Sequence, residues 1–392
     1  MQPSQSIAIA GASDVSKYLI EELLLIPNRP RITLLTRSLT NRPWFTSNPH
    51  ITIRVTEYTA PALQFVLDDI EATVLLSFLH SNDTGVYNTA HEAMYQACRA
   101  SHTCRRFVPS DYGGDIERFP GLPRFYDATH RAFREKVLES GDDDDDDDRV
   151  EWTVVNGGWF MDYFAQGSAV DPTALAYREL DESEGGEVGT APSFDPTRVR
   201  SYMKPLPGIW PLDLDTFSAV IPGTGDEPIG WTAARDVAKA LVRLVQAPRG
   251  TWERHTYVVG EIGTWNRAVD TVERFFGRKI QVSRKSESDI FAAVQDESLG
   301  PGERAIAFMD EWNVTGASAV PMDRVLTQRD MFFSDVTFRD VGTFLKDAYE
   351  RSFDRSAMGH YRVVEVRGCA KDLGYQTRAP STINQDWPPR AG

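Results

Sequence analysis

The sequence predicts an α/β protein whose parallel sheet is covered by helices on both faces. Over the first 160 residues, short apolar runs alternate with segments whose apolar residues recur at helical spacing. Most of these runs are continuously apolar, which indicates strands that are buried on both faces. The first run, at 7–10, ends at a glycine and precedes a helical pattern, as in dinucleotide-binding domains. We therefore predict a Rossmann-type, doubly wound parallel sheet.

The individual elements follow from length, periodicity and turn residues. The predicted strands cover 7–10, 32–36, 51–55, 73–79, 106–109 and 152–156. The predicted helices between them cover 15–26, 60–69, 84–100 and 126–140. Later in the chain we predict helices at 231–246, 265–276, 287–294 and 340–352, and strands at 255–259 and 279–283.

Changes in composition divide the chain. We assign 1–160 to the Rossmann domain, with 216–250 returning to it, and 161–215 and 251–352 to a smaller α+β substrate lobe. Between about 165 and 215 the sequence is rich in glycine, proline, serine and acidic residues, which predicts a loop-rich, substrate-facing insertion. Seven consecutive aspartates at 142–148 repel one another, which predicts a solvated loop. The segment 353–392 is predicted to be an irregular tail.

Charge and hydropathy disfavour two classes of partner. The formal net charge is −15, and the chain is still acidic when the aspartate run is discounted, which argues against nucleic acid. No apolar stretch approaches the roughly 20 residues of a membrane span, and the N-terminus lacks the layout of a signal peptide. We therefore expect a cytosolic protein with a small-molecule substrate and no membrane partner, and make no prediction of oligomeric state.

Cysteine and histidine placement disfavours disulfide, metal and hydrolase chemistry. Cys98, Cys104 and Cys369 are odd in number and lack metal-ligand spacing, so free, reduced thiols are expected. Seven scattered histidines form no ligand cluster, and no nucleophile elbow is present.

The turn after the first strand carries only part of a dinucleotide motif. Gly11 supplies the tight turn, but Asp14 and Lys17 occupy the positions of the second and third glycines. A carboxylate about 4 Å from a phosphate oxygen costs about 4 kcal/mol at an effective dielectric near 20, or close to a thousandfold in affinity. Lys17 can compensate by pairing with Asp14 or by reaching a phosphate. Alternatively, Asp14 caps the helix.

The end of the second strand favours NADP over NAD. NAD sites tend to place an acidic residue there, whereas this chain has Arg37, which suits a 2′-phosphate, with Arg42 able to assist. The alternative is a surface arginine at the end of a strand.

Six segments in the same order resemble the NmrA-like/isoflavone reductase-like family, an atypical branch of the short-chain dehydrogenases. They are IAIAGAS at 7–13, TRS at 36–38, RFVPSDYG at 106–113, WTVVNGGWF at 152–160, GWTAARDVA at 230–238 and GRKI at 277–280. The resemblance spans about residues 5–350 and implies an NADP site between a Rossmann domain and a substrate lobe. It implies that the cofactor is bound by Gly11, Ala12, Ser13, Lys17, Arg37, Ser38, Ser77, Pro109, Ser110, Asn156 and Gly157.

The same resemblance locates the proton chemistry on the helix at 126–140. The reductases of the family carry a lysine there, and the matching position holds His130, which can act as a general acid. Tyr126, one turn earlier, can share a proton relay. The alternatives are a surface histidine and a packed aromatic ring.

Four aromatic residues follow the sixth strand, where the sheet edge opens onto a ligand crevice. Stacking on a flat phenolic or polyketide substrate is expected of them, and aromatic packing within the lobe is the alternative. They are Trp159, Phe160, Tyr163 and Phe164.

The first functional hypothesis is an NADP-dependent reductase that acts on a small aromatic or polyketide-like secondary metabolite. The second is a cofactor-independent isomerase, dehydratase or cyclase that uses His130, Tyr126 and Asp111 as acid–base groups. The third is a non-catalytic NAD(P) sensor that regulates a partner protein.

Overall fold

The computed structural model describes residues 5–40, 42–81, 83–140, 149–165 and 202–350. The aspartate run at 142–148, most of the insertion predicted between about 165 and 215, and the tail at 353–392 lie outside the described residues. So do Cys369 and the last two residues of the helix predicted at 340–352.

A six-stranded parallel sheet forms the centre of the first part of the chain. Its strands are β1 (Ser6–Ala10), β2 (Arg31–Thr36), β3 (Thr52–Val55), β4 (Val74–Ser77), β5 (Arg106–Val108) and β7 (Glu151–Trp152). They lie in the order β3-β2-β1-β4-β5-β7. This is the Rossmann order, so the predicted fold class is confirmed. The strand order reverses between β1 and β4, where such sheets open a ligand crevice at their carboxyl edge.

Helices cover both faces of this sheet, because each presents one apolar stripe to it. They are α1 (Asp14–Leu25), α2 (Pro43–Thr46), α3 (Ala60–Asp69), α4 (Thr84–Ala100) and, from later in the chain, α5 (Ala234–Gln246). One face is covered by α1 and α5, with Leu19, Leu23 and Leu241 in a common buried cluster. The other face is covered by α3 and α4, through Leu67 and Met94 among others.

The predicted strand at 152–156 is two strands. Its first half is β7, which pairs with β5, and its second half is β8 (Val154–Asn156). β8 pairs instead with β6 (Tyr112–Gly113) and β13 (His255–Tyr257). An apolar run predicts a strand but not its pairing partner, so the change of sheet within the run could not be read from the sequence.

The helix predicted at 231–246 begins three residues late. Trp231 and Thr232 lie in β12 (Ile229–Thr232), and α5 starts at Ala234. The backbone N–H of Ala234 donates to the carboxylate of Asp162 at 2.8 Å, so the helix terminus is satisfied by a residue 72 positions away. The start of this helix is therefore set by tertiary contact.

The helix predicted at 126–140 is present as a helical segment at 124–139 with unusual turns. It opens with a tight turn at Arg124–Tyr126 and continues in wide, π-type turns at Asp127–Arg131 and Arg134–Glu139. Wide turns of this kind occur often at functional sites.

The lobe contains two small sheets and five helices among the described residues. Its strands are β9 (Trp159–Phe160), β12 and β14 (Glu261–Gly263) in one sheet, and β10 (Leu212–Asp213), β11 (Ser218–Pro222) and β15 (Gln281–Lys285) in the other. Its helices are α6 (Trp265–Phe276), α7 (Glu287–Gln295), α8 (Pro301–Val314), α9 (Met322–Phe332) and α10 (Val341–Glu350). Helices α8 and α9 were not predicted.

The chain passes more than once between the lobe and the part that contains the six-stranded sheet. Within 216–250, β11 pairs with β15 in the lobe, whereas α5 packs beside α1. Within 251–352, β13 lies beside β8. The exact division into a Rossmann domain and a substrate lobe stays a prediction.

Candidate functional site

The turn after β1 requires glycine at position 11. Gly11 has a φ of +98°, and a Cβ atom there would lie 2.9 Å from backbone atoms of Phe78 and Leu79. Its N–H donates to the carbonyl of Leu35 at 3.1 Å. The β1 turn therefore lies directly against the backbone that follows β4, which leaves no room for a side chain at position 11.

Ser13, rather than Asp14, caps α1. The Ser16 N–H donates to the Ser13 hydroxyl at 3.3 Å, and the Ser13 N–H donates to the Ser16 hydroxyl at 3.0 Å. Asp14 is the first residue inside the helix. The prediction that Asp14 caps the helix is wrong, because the preceding serine already satisfies that role.

Asp14 is paired with Lys17. The Lys17 ammonium lies 3.1 Å from the Asp14 carboxylate, and the two side chains are 17% and 28% exposed. The same ammonium lies 5.0 Å from the ring centroid of Tyr202. Of the two alternatives for Lys17, the structure shows pairing with Asp14, which counters the repulsion that an unpaired carboxylate would exert on a phosphate.

Arg37 presents a cation at the end of β2. Its side chain is exposed, and no carboxylate pairs with it in the part of the chain that the structure describes. The turn beyond it is ordered by Thr36, whose hydroxyl donates to the carbonyl of Ser38 at 2.9 Å. The Gly11 turn, the N-terminus of α1 and this cation together fit a dinucleotide with a phosphate on its ribose.

Ser77 and Ser110 are joined by a histidine that was not predicted. The Ser77 hydroxyl lies 3.1 Å from His91 Nε2, and the Ser110 N–H donates to the same nitrogen at 3.3 Å. His91 Nδ1 faces the carbonyl of Tyr87 at 2.9 Å, so Nδ1 carries the proton. Burial lowers the pKa of His91 to about 3. A neutral imidazole thus links the end of β4 to the Pro109–Ser110 loop.

His130 lies inside a stack of aromatic rings. Its ring centroid is 3.7 Å from that of Tyr126 and 4.1 Å from that of Tyr87, with the planes within 26°. His91 continues the stack on Tyr87, at 4.0 Å. We call Tyr126, His130, Tyr87 and His91 the ring stack. His130 is 1% exposed, so the alternative of a surface histidine is wrong.

The ring stack holds His130 neutral. Burial, and then the neighbouring His80, His91 and Arg134, lower the pKa of His130 well below its usual value. The Thr129 hydroxyl donates to the carbonyl of Phe125 at 3.0 Å, which leaves it to accept from His130 Nδ1 at 2.8 Å. Such a histidine carries no extra proton to give at neutral pH.

Tyr126 is the half-buried end of the ring stack. Burial, and then the nearby Asp111 carboxylate, raise the pKa of its phenol well above 10, so the hydroxyl keeps its proton at neutral pH. His80, at the end of β4, lies 6.3 Å from the Tyr126 ring. Tyr126 therefore offers a protonated hydroxyl beside the carboxyl edge of the sheet.

Asp111 forms a buried ion pair with Arg134. It is 1% exposed and bonds to the guanidinium of Arg134, which also donates to the carbonyl of Pro120 at 2.7 Å. Its second carboxylate oxygen has no partner among the residues that the structure describes. Proton exchange by Asp111 would break a buried pair, which is costly. Its contacts are those of a residue that holds the 124–139 segment against β5.

Asn156 ends β8, and Gly157 follows it directly. The Asn156 amide donates to the carbonyls of Val154 and Thr256, each at 3.3 Å, while its buried oxygen has no partner within the described ranges. A Cβ atom at Gly157 would lie 2.9 Å from the carbonyl of Val258. Beside them is a small cavity with room for about one water molecule. It is lined by Tyr112, Val155, Gly157, Gly158, Phe160, Thr232 and Val237.

Three of the four aromatic residues predicted to contact the substrate form the core of the lobe. Trp159, Tyr163 and Phe164 are at most 8% exposed and pack around Trp210. The Trp159 indole donates to Asn313 at 2.9 Å. The aromatic-core alternative therefore corrects the prediction for these three, because burial leaves little surface to a ligand. Phe160 is half-buried and faces the cavity.

The remaining sequence predictions concern thiols, metals and membranes. Cys98 and Cys104 are buried free thiols whose sulfur atoms lie 3.6 Å apart. In the described part of the chain, no group of three His, Cys, Asp or Glu side chains is placed to hold a metal ion. None of the helices described there has the length and apolar character to cross a membrane.

Two curated fungal proteins are similar to most of this chain. The oxidoreductase swnR of Arthroderma benhamiae is 30% identical over 338 residues, which is 85% of this chain and 94% of the relative. The oxidoreductase swnR of Metarhizium robertsii is 31% identical over 338 residues, which is 86% of this chain and 94% of the relative. No family model matches the sequence.

The fold is shared with solved structures that include an isoflavone reductase. The protein AtPrR2, solved with NADP⁺ and (+)-pinoresinol, is 15% identical with a TM-score of 0.61. An isoflavone reductase is 16% identical with a TM-score of 0.57. Each similarity covers 88% of this chain and 99% of the solved chain. The chain belongs to the same family of oxidoreductases as the two swnR proteins, and it has the isoflavone reductase fold that the sequence resemblance predicted.

Proposed function

We propose that this protein is an NADPH-dependent reductase of a small aromatic or polyketide-like secondary metabolite. The observation that carries the proposal is the β1 turn: a bare glycine, a helix N-terminus whose one carboxylate is paired, and the exposed Arg37 at the next strand. Together these features suit the pyrophosphate and the 2′-phosphate of NADP. The NADP⁺ bound in AtPrR2, which has the same fold, supports the same cofactor.

In this proposal the cofactor-binding residues predicted from the sequence keep their roles. Gly11, Ala12 and Ser13 would hold the pyrophosphate at the N-terminus of α1, and Arg37 with Ser38 would hold the 2′-phosphate. Pro109, Ser110, Asn156 and Gly157 would surround the nicotinamide, with Ser77 linked to Ser110 through His91. Lys17 would offset the Asp14 carboxylate beside the pyrophosphate. When bound, NADPH supplies the hydride that reduces the substrate.

Tyr126 gives the substrate its proton, and His130 positions Tyr126. The phenol is half-buried and stays protonated at neutral pH, whereas His130 is fully buried and neutral. Face-to-face contact at 3.7 Å with His130 fixes the plane of the Tyr126 ring. Asp111 acts through Arg134, because their ion pair holds the segment that carries both residues.

The substrate class is proposed from the relatives and from two aromatic rings that are only half-buried. The relatives are fungal oxidoreductases, and AtPrR2 was solved with a phenolic ligand, (+)-pinoresinol. Phe160 and Tyr126 supply half-buried aromatic surface near the ends of β8 and β4, which suits a flat ring. A cytosolic location is part of the same proposal.

Calorimetric titration of the full chain with NADPH and NADH tests the cofactor. We expect NADPH to bind more tightly than NADH, and Arg37→Gln to weaken NADPH binding by about tenfold or more, since hydrogen bonds to charged groups are worth roughly 1.5–3 kcal/mol. Arg31→Gln, at the opposite end of β2, is the matched control and should leave both affinities unchanged. Absence of NADPH binding at millimolar concentration would overturn the proposal and favour the cofactor-independent hypothesis.

A further inference from the structure

Tyr58 contacts both halves of the proposed cofactor site. It follows β3, and its hydroxyl donates to the carbonyl of Leu35 at 2.8 Å. The Gly11 N–H donates to the same carbonyl. On its other side, the ring centroid lies 6.0 Å from the guanidinium carbon of Arg37. One side chain thus joins the phosphate turn to the cation at the end of β2.

The hydroxyl and the ring of Tyr58 make different contacts. The Leu35 carbonyl accepts from both the Gly11 N–H, at 3.1 Å, and the Tyr58 hydroxyl, so the hydroxyl belongs to the network that fixes the β1 turn. The ring packs at the edge of the buried cluster under α3 and α4. Its position is therefore set by the core and not by Arg37.

Arg37 needs such a support because it is otherwise weakly held. No carboxylate in the part of the chain that the structure describes pairs with it, and its side chain is exposed. A guanidinium within about 6 Å of an aromatic face is attracted by the ring. Restricting the arginine before the cofactor arrives reduces the ordering cost of binding. That benefit reaches only a ligand that uses Arg37.

We propose that Tyr58 is a positioning residue that sets the preference for NADPH over NADH by holding Arg37 at the 2′-phosphate. This inference rests on the proposed function, since it assumes that Arg37 meets that phosphate. The hydroxyl supports the turn used by both dinucleotides, and the ring supports the contact used by NADPH alone. Neither the motif nor the spacing of the glycines indicates this residue.

Calorimetry with NADPH and NADH on Tyr58→Leu and Tyr58→Phe separates the two parts of the side chain. The ratio of the NADH to the NADPH dissociation constant should fall about threefold in Tyr58→Leu, as loss of an exposed cation–π contact implies. Tyr58→Phe keeps the ring, so it should leave the ratio unchanged even where both affinities weaken together.

Two further variants complete the test. In Arg37→Gln/Tyr58→Leu the ratio should fall no further than in Arg37→Gln, because Tyr58 acts through the arginine. Phe65→Leu on α3, which is 73% exposed, should match the wild type. Thermal unfolding confirms that each variant is folded.

A folded Tyr58→Leu protein whose ratio equals that of the wild type would overturn the inference while leaving NADPH binding intact. A further fall of the ratio in the double variant would equally overturn a role through Arg37. Failure of the wild type to bind NADPH would instead overturn the proposed function, and this inference with it.

Discussion

The turn after β1 and the ring stack both keep polar side chains compensated, but the compensating residues lie at different distances along the chain. In the turn, Asp14 pairs with Lys17, three positions away, and Ser13, the residue directly before α1, caps the helix. In the ring stack, Tyr87 and His91 come from α4, while Tyr126 and His130 come from the 124–139 segment. Compensation in the turn can be reasoned from sequence spacing, whereas the stack exists only when two distant segments pack.

The largest effect should come from removing the hydroxyl group of Tyr126, at the half-buried end of the ring stack. Tyr126→Phe keeps the ring on His130 and loses the hydroxyl, so we expect kcat to fall by about 10²–10⁴-fold, the usual contribution of a general acid. The measurement is NADPH consumption with the best substrate from a panel of phenolic and polyketide carbonyl compounds. NADPH affinity should be unchanged, which separates a lost proton from a lost cofactor. Full activity of the variant would remove Tyr126 from the proposed chemistry.

A smaller effect, on stability, should follow from titrating His91, at the buried end of the ring stack. The pKa of His91 is lowered to about 3 in the folded protein, whereas an ordinary histidine has a pKa near 6.5. Below about pH 6.5 the unfolded chain therefore binds more protons than the folded protein. Stability should therefore be complete above about pH 6.5 and fall by about 1.4 kcal/mol per pH unit below it from this residue alone, until the folded pKa is reached. Denaturant unfolding between pH 7 and pH 5 measures this slope.

The matched pair for that measurement is His91→Gln and His102→Gln. The first removes the buried imidazole and should reduce the pH slope by one histidine's share. The second changes an exposed histidine at the end of α4 and should leave the slope as in the wild type. Equal slopes in all three proteins would contradict a neutral, buried His91.

The smallest effect should come from the turn, where compensation is local. Lys17→Gln leaves the Asp14 carboxylate unpaired, and we expect NADPH to bind about tenfold more weakly, less than the unscreened repulsion because both side chains are partly exposed. Asp14→Asn/Lys17→Gln should restore most of the affinity, since the pair cancels. Calorimetry on the two variants measures the difference. No recovery in the double variant would mean that Lys17 itself contacts the cofactor.

Much of the first part of the chain could be predicted, because its signals are short-range. The six strands of the main sheet and the helix at 60–69 follow from apolar runs, turn residues and periodicity. Two errors occurred where a contact with a distant part of the chain set a boundary. Asp162 sets the start of α5, and β6 and β13 draw the second half of one apolar run into another sheet.

The candidate site was predictable only at its edges. Gly11 and Arg37 were identified from their positions relative to strands, and the pairing of Lys17 with Asp14 was among the alternatives considered. His91 and Tyr58 were missed, although the i, i+4 spacing of Tyr87 and His91 on α4 already placed their side chains on one face. That spacing is equally typical of two packed core residues.

By itself, the sequence determined the strand–turn–helix that begins the fold, the family resemblance and the pairing partner available to Asp14, because each depends on residues a few positions apart. Only the tertiary structure decided that His130 is neutral, that Asp111 is bound to Arg134, and that three of the four aromatic residues belong to the core of the lobe. The physical reason is that pKa and exposure depend on what is packed around a side chain, and most of those neighbours come from distant parts of the chain.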